Sequence, residues 1–399
     1  MKFSNRMEQF GESIFSNLLE IKRKRLKDGV PVIDLSIGAP NIPPAKHILE
    51  ALCTAATDAR NYIYAINDQT ALLEAVSFWY KKRYGVDLNP QTEVCSLLGS
   101  QEGFLLIPMT ILNEGDLVLV PDPCYPIFAD GPRLAGAQLY YLPQKKENDY
   151  LLQLQDIPEN IARKAKLMIL SYPNNPTTAM APHSFYKDLI AFAKKYDIIV
   201  LHDNAYSDLV FDNKKCGSFL SFPGAKEVGV EFNSLSKTYG LAGARIGFCI
   251  GNAEIVSRLK ILKSNIDYGM FLPFQKAAIA AITGNQNCVE ETKKAYERRR
   301  NILCDGFNAI GWKIEKPEAT MFVWAMIPSH YQKSMDFAMD MVEKAGVIVT
   351  PGSAFGPSGE GYVRIALVQD EEMLQKAIQA VDESGILQER SRTSQMMPR

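Results

Sequence analysis

The chain has 399 residues, 47% hydrophobic and 22% charged, with 44 Lys and Arg against 45 Asp and Glu for a net charge of −1. That length suits two or three domains, or one large domain with a smaller partner, and the apolar content is ample for a substantial core. Interspersed charges that nearly cancel argue against a nucleic acid or an anionic membrane as the main partner.

Taken from the start, MKFSNRMEQFGES lacks the apolar core of a signal peptide. No apolar run, FLLIPMTIL among the longest, approaches the ~20 residues of a membrane span. The cysteines at 53, 95, 124, 216, 249, 288 and 304 are odd in number, scattered and never spaced CxxC. That is the usage of a reducing compartment without a disulfide framework or zinc site, so a cytoplasmic location is expected. Short apolar runs then alternate with amphipathic stretches, the pattern of an α/β protein with a buried, mostly parallel sheet. The clearest strands are LVLV (117–120), LMIL (167–170), IIVL (198–201), VGVEF (228–232) and RIGFCI (245–250). Between two of them SFYKDLIAFAKKY spaces its apolar residues along one helix face. After about residue 285 come long charged helices such as CVEETKKAYERRRNIL, then strands at MFVWAMI and YVRIAL separated by a glycine-rich turn, TPGSAFGPSGEG. This reads as a smaller α+β domain. The division expected is 1–45 for an N-terminal arm and part of the small domain, 46–284 for the large domain, 285–390 for the rest of the small domain, and 391–399 for a tail.

The first four strands run into PDPCYP, SYPNNPTT, HDNAYSD and NSLSKTYG. Ligands of open α/β sheets bind outside the carboxyl ends of the strands, so these loops point at one shared site. Each has a bland explanation alone. Asp203 suits a solvated strand end or a helix N-cap, and YPNNP suits a plain turn. Gly99-Ser100-Gln101-Glu102-Gly103 is a strand-to-helix connection, or a helix N-terminus offering N–H groups to a phosphate. Tyr125 and Arg364 read as a packed aromatic and a salt-bridge partner.

Order and spacing together say more. With YPNNPT, then HDNAYS, then NSLSKTYGLAGARIG, the chain resembles the class I/II aminotransferases, pyridoxal-phosphate enzymes of fold type I, from PVIDLSIGAP (31–40) to GEGYVRIAL (359–367). Within them it is most similar to the branch of LL-diaminopimelate aminotransferase-like and alanine-type enzymes. The resemblance implies pyridoxal 5′-phosphate as cofactor, with Lys237 bonded to its aldehyde carbon as the Schiff-base lysine and later moving a proton from the substrate Cα. A poorly solvated, cation-rich site favours the neutral amine this needs. Asp203 would pair with the ring nitrogen, Tyr206 and Asn175 would hydrogen-bond the phenolic oxygen, and Tyr125 would stack on the ring. Ser100 and Gln101 N–H groups, Ser234, Ser236 and Arg245 would hold the phosphate, for which an arginine fork is well shaped. Arg364 would clamp the substrate carboxylate, with Gly38 leaving room for close backbone approach.

The implied activity is transfer of an amino group from an L-amino acid to a 2-oxo acid, 2-oxoglutarate first among them, by a ping-pong cycle in a homodimer. Family members carry a tyrosine, five residues before a glycine, that reaches the partner's cofactor phosphate. In NYIYAINDQTALLEAV an ungapped match puts Ile63 at the tyrosine, Asp68 at the glycine and Leu73 at a usual arginine. A one-residue shift would restore the contact through Tyr64; otherwise Tyr62 and Tyr64 merely pack. Ala244 replaces a common tryptophan, and Thr178 stands where glycine often follows NPT. Two alternatives stay open: a carbon–sulfur β-lyase on the same fold, and a catalytically weakened binding or regulatory protein. The histidines at 47, 183, 202 and 330 are too dispersed for a metal site, and His202 reads as a neighbour of the cofactor's acid. Glycines at 240, 243 and 247 do not spell GxGxxG.

Overall fold

The computed structural model describes residues 1, 4–11 and 14–388, so the expected tail at 391–399 lies outside the described residues. Twelve strands are present among them: β1 (Ile33–Asp34), β2 (Val94–Leu97), β3 (Leu117–Asp122), β4 (Gln138–Pro143), β5 (Ala165–Ser171), β6 (Ile199–Asp203), β7 (Gly229–Ser234), β8 (Gly247–Gly251), β9 (Phe322–Met326), β10 (Val347–Ile348), β11 (Thr350–Pro351) and β12 (Tyr362–Ala366).

Seven of them form a central sheet in the order β2-β8-β7-β6-β5-β3-β4. Neighbours pair in parallel except at β8, which runs antiparallel to both β2 and β7. The central strands are largely apolar on both faces because helices cover both, the buried His202 and Glu231 being exceptions. Leu167, Ile169, Leu201, Val230 and Phe232 pack on one side with Phe104, Phe128 and Leu259 from helices Ser100–Ile111, Ile127–Leu134 and Ala253–Ser264. The alternating Met168, Leu170 and Val200 face the other side, toward Val76, Leu189 and Ala278 from helices Thr70–Tyr84, His183–Tyr196 and Leu272–Thr283. Full burial of such a side chain contributes about 2 kcal/mol.

A smaller antiparallel sheet, β11-β12-β9, and the parallel pair β1-β10 form a second layer with helices Asn287–Ala309, Ser334–Ala345 and Glu371–Glu383. Chain ends meet here. Leu35 N–H donates to Ile348, and Leu35 C=O accepts from Ala366 N–H. Residues 33–39 are thereby laid beside β12, in front of the central sheet.

Three details differ from the sequence reading. RIGFCI is a strand only from Gly247, and it is antiparallel. The link from Ser234 to Gly247 returns the chain to the same end of the sheet, since Ser234 and Gly247 are direct partners, whereas a parallel crossover would carry it to the opposite end. Edge strand β4 has no apolar run because much of it stays accessible. Finally, helix Ser334–Ala345 as well as the glycine-rich turn separates β9 from β12. Among the described residues no helix is long and apolar enough to cross a membrane.

Candidate active site

The carboxyl ends of β2, β3, β5, β6 and β7 open on one cavity of about 290 Å³. Its walls include Gly38, Ser100, Gln101, Tyr125, Asn175, Asp203, Tyr206, Ser234, Ser236, Lys237, Arg245 and Arg364. Twelve residues singled out in seven separated segments thus meet in one place. Tyr64 is the thirteenth, and its own chain does not bring it there: it is 79% exposed, edge-on to Tyr268 at 5.4 Å.

Lys237 lies in a single helical turn, Leu235–Thr238, directly after β7. Its Nζ donates to Gly38 C=O at 2.7 Å. Burial first, then Arg364 and Arg245, lowers its amine to about 8. Asp203 ends β6 with Oδ1 accepting from Ala205 N–H at 3.1 Å. Burial raises its carboxyl to about 6. An amine pressed toward neutrality thus shares a cavity with a buried carboxylate that a cation would relax. Burial also pushes up the hydroxyls of Tyr206 and Tyr125, and Tyr125 donates to Gln101 Oε1 at 3.2 Å.

Arg364 reaches in from β12. It donates to Asn175 Oδ1 at 2.9 Å and to Ser36 C=O at 2.7 Å, and its guanidinium sits 4.1 Å over the Phe322 ring and 4.7 Å from that of Phe355. Burial lowers it to about 10, so it stays charged. With Asn175 Oδ1 engaged, the amide NH₂ is the end left for a ligand.

On the opposite wall, Ser100 and Gln101 open helix Ser100–Ile111, where N–H groups have no partner within the helix. Ser234 N-caps the Lys237 turn, accepting from Ser236 N–H at 3.1 Å, and the two hydroxyls are 2.9 Å apart. Arg245, in the left-handed region at φ 55°, lays its guanidinium across Gly99. A Cβ on Gly99 would fall 2.1 Å from Arg245 Nη2. The result is a cradle of backbone N–H groups, hydroxyls and a guanidinium that a dianionic phosphate fits. Pyridoxal phosphate therefore suits the residues present.

Sequence reasoning missed Phe322, which props Arg364 and meets Gly38: a Cβ there would lie 2.5 Å from the ring. Its signal was faint, the alternation in MFVWAMI that puts Phe322 on the face bearing Arg364. His202 neighbours Asp203 along β6, but strand alternation turns its ring away from the cavity, with Nδ1 3.1 Å from Glu231 and Nε2 3.3 Å from the Tyr186 hydroxyl. Where the family's glycine is expected, Asp68 instead accepts from Ser96 N–H at 2.8 Å. Leu73 is buried in the core, and Thr178 takes φ 66°. Among the described residues no group of three or more His, Cys, Asp or Glu could hold a metal ion.

Comparison with known proteins agrees with this geometry. The family described as aminotransferase class I and II matches residues 30–381. LL-diaminopimelate aminotransferase from Moorella thermoacetica is 43% identical over 380 residues, which is 95% of this chain and 97% of that one. Among solved structures, substrate-bound BacF from Bacillus subtilis superposes with a TM-score of 0.92 at 36% identity, covering 96% of this chain and 98% of that one. An aromatic aminotransferase from Pyrococcus horikoshii gives 0.85 at 30% identity, covering 91% and 98%. A match over almost the whole chain, on a fold that gathers the family's motif residues, makes this protein a pyridoxal-phosphate-dependent member of the class I and II aminotransferases.

Proposed function

We propose that this aminotransferase transfers the amino group of an L-amino acid to 2-oxoglutarate in two half-reactions at one site. What carries the reading is the convergence of the Lys237 amine, the Asp203 carboxylate and the Arg364 guanidinium on one cavity. The bound cofactor supplies a conjugated ring that takes up the electron pair left when the substrate Cα–H bond breaks. Asp203 holds the ring nitrogen's proton as a buried ion pair. Arg364 grips the substrate α-carboxylate by its fork, steadied by Asn175, Ser36 and the Phe322 face. That grip fixes which substituent of Cα faces Lys237. Lys237 Nζ, lowered to about 8, would take up the Cα proton and deliver it to the cofactor carbon that ends up bearing the amino group. Tyr206, Asn175 and Tyr125 place the ring, and Ser100, Gln101, Ser234, Ser236 and Arg245 its phosphate.

The donor we propose is LL-diaminopimelate, supported by relatives of that name at 43% identity across nearly the whole chain. A second reading, a donor with an apolar side chain, is favoured by the lining itself. Ile37, Ala39, Ala242 and Phe322 line the cavity, and its cations, Lys237, Arg245 and Arg364, already have roles. The enzyme is proposed to act as a cytoplasmic homodimer. Tyr62, Ile63, Tyr64, Ile66 and Tyr268 are all exposed, a patch suited to a second copy, with Tyr64 offered to the partner's phosphate.

A panel of LL-diaminopimelate, L-leucine, L-phenylalanine and L-cysteine with 2-oxoglutarate, read by glutamate formation, tests the reading. Glutamate from LL-diaminopimelate supports the first donor, and glutamate from leucine or phenylalanine alone the second. Pyruvate and sulfide from cysteine without any 2-oxo acid would reassign the enzyme as a β-lyase. No reaction with any amino acid, despite a bound cofactor, would leave a binding protein.

A further inference from the structure

We propose that the chain of contacts Arg83–Asp208–Thr238 positions Lys237, with Asp208 as its keystone. The inference rests on the role assigned to Lys237 above. The turn that carries Lys237 is four residues long, too short to hold its own shape by helix propensity. What fixes it must come from outside the turn. On the cavity side Lys237 touches Gly38 C=O at 2.7 Å. On the far side the next residue, Thr238, donates its hydroxyl to Asp208 Oδ2 at 2.9 Å. Asp208 in turn pairs with the Arg83 guanidinium.

Thr238 and Asp208 are only 2% and 7% exposed, and neither lines the cavity. A carboxylate that deep persists because it is paired with a cation and accepts a hydrogen bond from a hydroxyl. Arg83 belongs to the last turn of helix Thr70–Tyr84, and that same turn grips both catalytic loops. Tyr84 hydroxyl lies 2.7 Å from Ser207 Oγ, next to Tyr206. Tyr80 hydroxyl donates to Glu231 at 2.9 Å and accepts from Asn233 at 3.3 Å, on the strand leading to Lys237. One helix end therefore sets the spacing between the loop bearing Asp203 and Tyr206 and the turn bearing Lys237.

The test is Thr238→Val, which deletes the hydroxyl at nearly constant shape, against Thr238→Ser, which keeps it. Two quantities are read: steady-state kinetics of the loaded enzyme, and amide hydrogen exchange of residues 235–239 in the cofactor-free protein. Thr238→Val is expected to lower kcat about tenfold with KM for the amino acid within about twofold, because the amine is misplaced while Arg364 still binds substrate. Exchange in 235–239 should quicken about tenfold. Thr238→Ser should recover both. Wild-type kcat and exchange in Thr238→Val, or a serine variant no better than the valine one, would overturn the proposal. If Thr238→Val does not fold, Asp208→Asn is read the same way: slower turnover with faster local exchange supports the clamp, and wild-type values overturn it. Should the wild-type protein show no transamination at all, the functional reading fails while the exchange data still decide the clamp.

Discussion

Gly99 offers a perturbation that should weaken cofactor binding while the protein still folds, its melting temperature lowered by a few degrees. The residue sits at φ 84°, ψ 150°, a region essentially reserved for glycine, so Gly99→Ala adds strain of about 1–3 kcal/mol. The new methyl would also stand 2.1 Å from Arg245 Nη2. That atom ends a long, flexible side chain, so the guanidinium swings away cheaply. What it leaves is the wall where the phosphate is placed. Losing one charge-assisted hydrogen-bonding group costs about 1.5–3 kcal/mol, or roughly a 10- to 100-fold weaker Kd for pyridoxal phosphate. Equilibrium titration of the cofactor-free protein, followed by visible absorbance, measures it, while thermal unfolding should drop by only a few degrees. Arg245→Met should give a comparable loss, and the double variant little more, because both changes remove one interaction. Cofactor affinity within about twofold of wild type in Gly99→Ala, or losses that simply add in the double variant, would refute the reasoning.

Between about pH 8 and 10.5 the Lys237 amine, lowered to about 8, is mostly neutral in the folded protein while an ordinary lysine at 10.5 is still charged. Cofactor-free protein should therefore gain stability as pH rises from about 8 to 10.5 and carry a penalty of roughly 1–3 kcal/mol at pH 7. Lys237→Met should raise its melting temperature at pH 7 by more than at pH 10; an equal shift at both would contradict the assigned burial. Asp203, raised to about 6 from 3.8, keeps a proton in the folded state that the unfolded chain releases, so it costs stability as pH climbs through that window. Asp203→Asn should flatten that part of the melting curve and abolish turnover, whereas an unchanged slope would mean that Asp203 is not the buried acid described. Arg364→Lys keeps the charge but loses the fork, so kcat/KM for the amino acid should fall about 10- to 100-fold while the cofactor's visible band persists. Loss of the band would place Arg364 with the cofactor instead of the substrate.

The parallel core was legible because β5, β6 and β7 are buried on both faces and so read as continuous apolar runs. β4 escaped because an edge strand needs no such run. The cavity was legible because its chemistry clusters in short loops at strand ends, where HDNAYS and NSLSKTYG each hold several lining residues. Features that depend on distant pairings were not. Phe322 under Arg364 and Asp208 behind Thr238 each follow from which strand or helix lies next to which. Sequence spacing is silent on that. Tyr64 is the candidate site residue that lies outside the cavity, its ring 79% exposed against Tyr268.

The claim on which everything else depends is that Lys237 holds the cofactor. Reducing the loaded protein with borohydride and mapping its peptides by mass spectrometry tests it directly. The account predicts one added pyridoxyl-phosphate mass per chain, on the peptide containing Lys237, and none in Lys237→Ala. A label on another lysine, or a label that survives in Lys237→Ala, would contradict it.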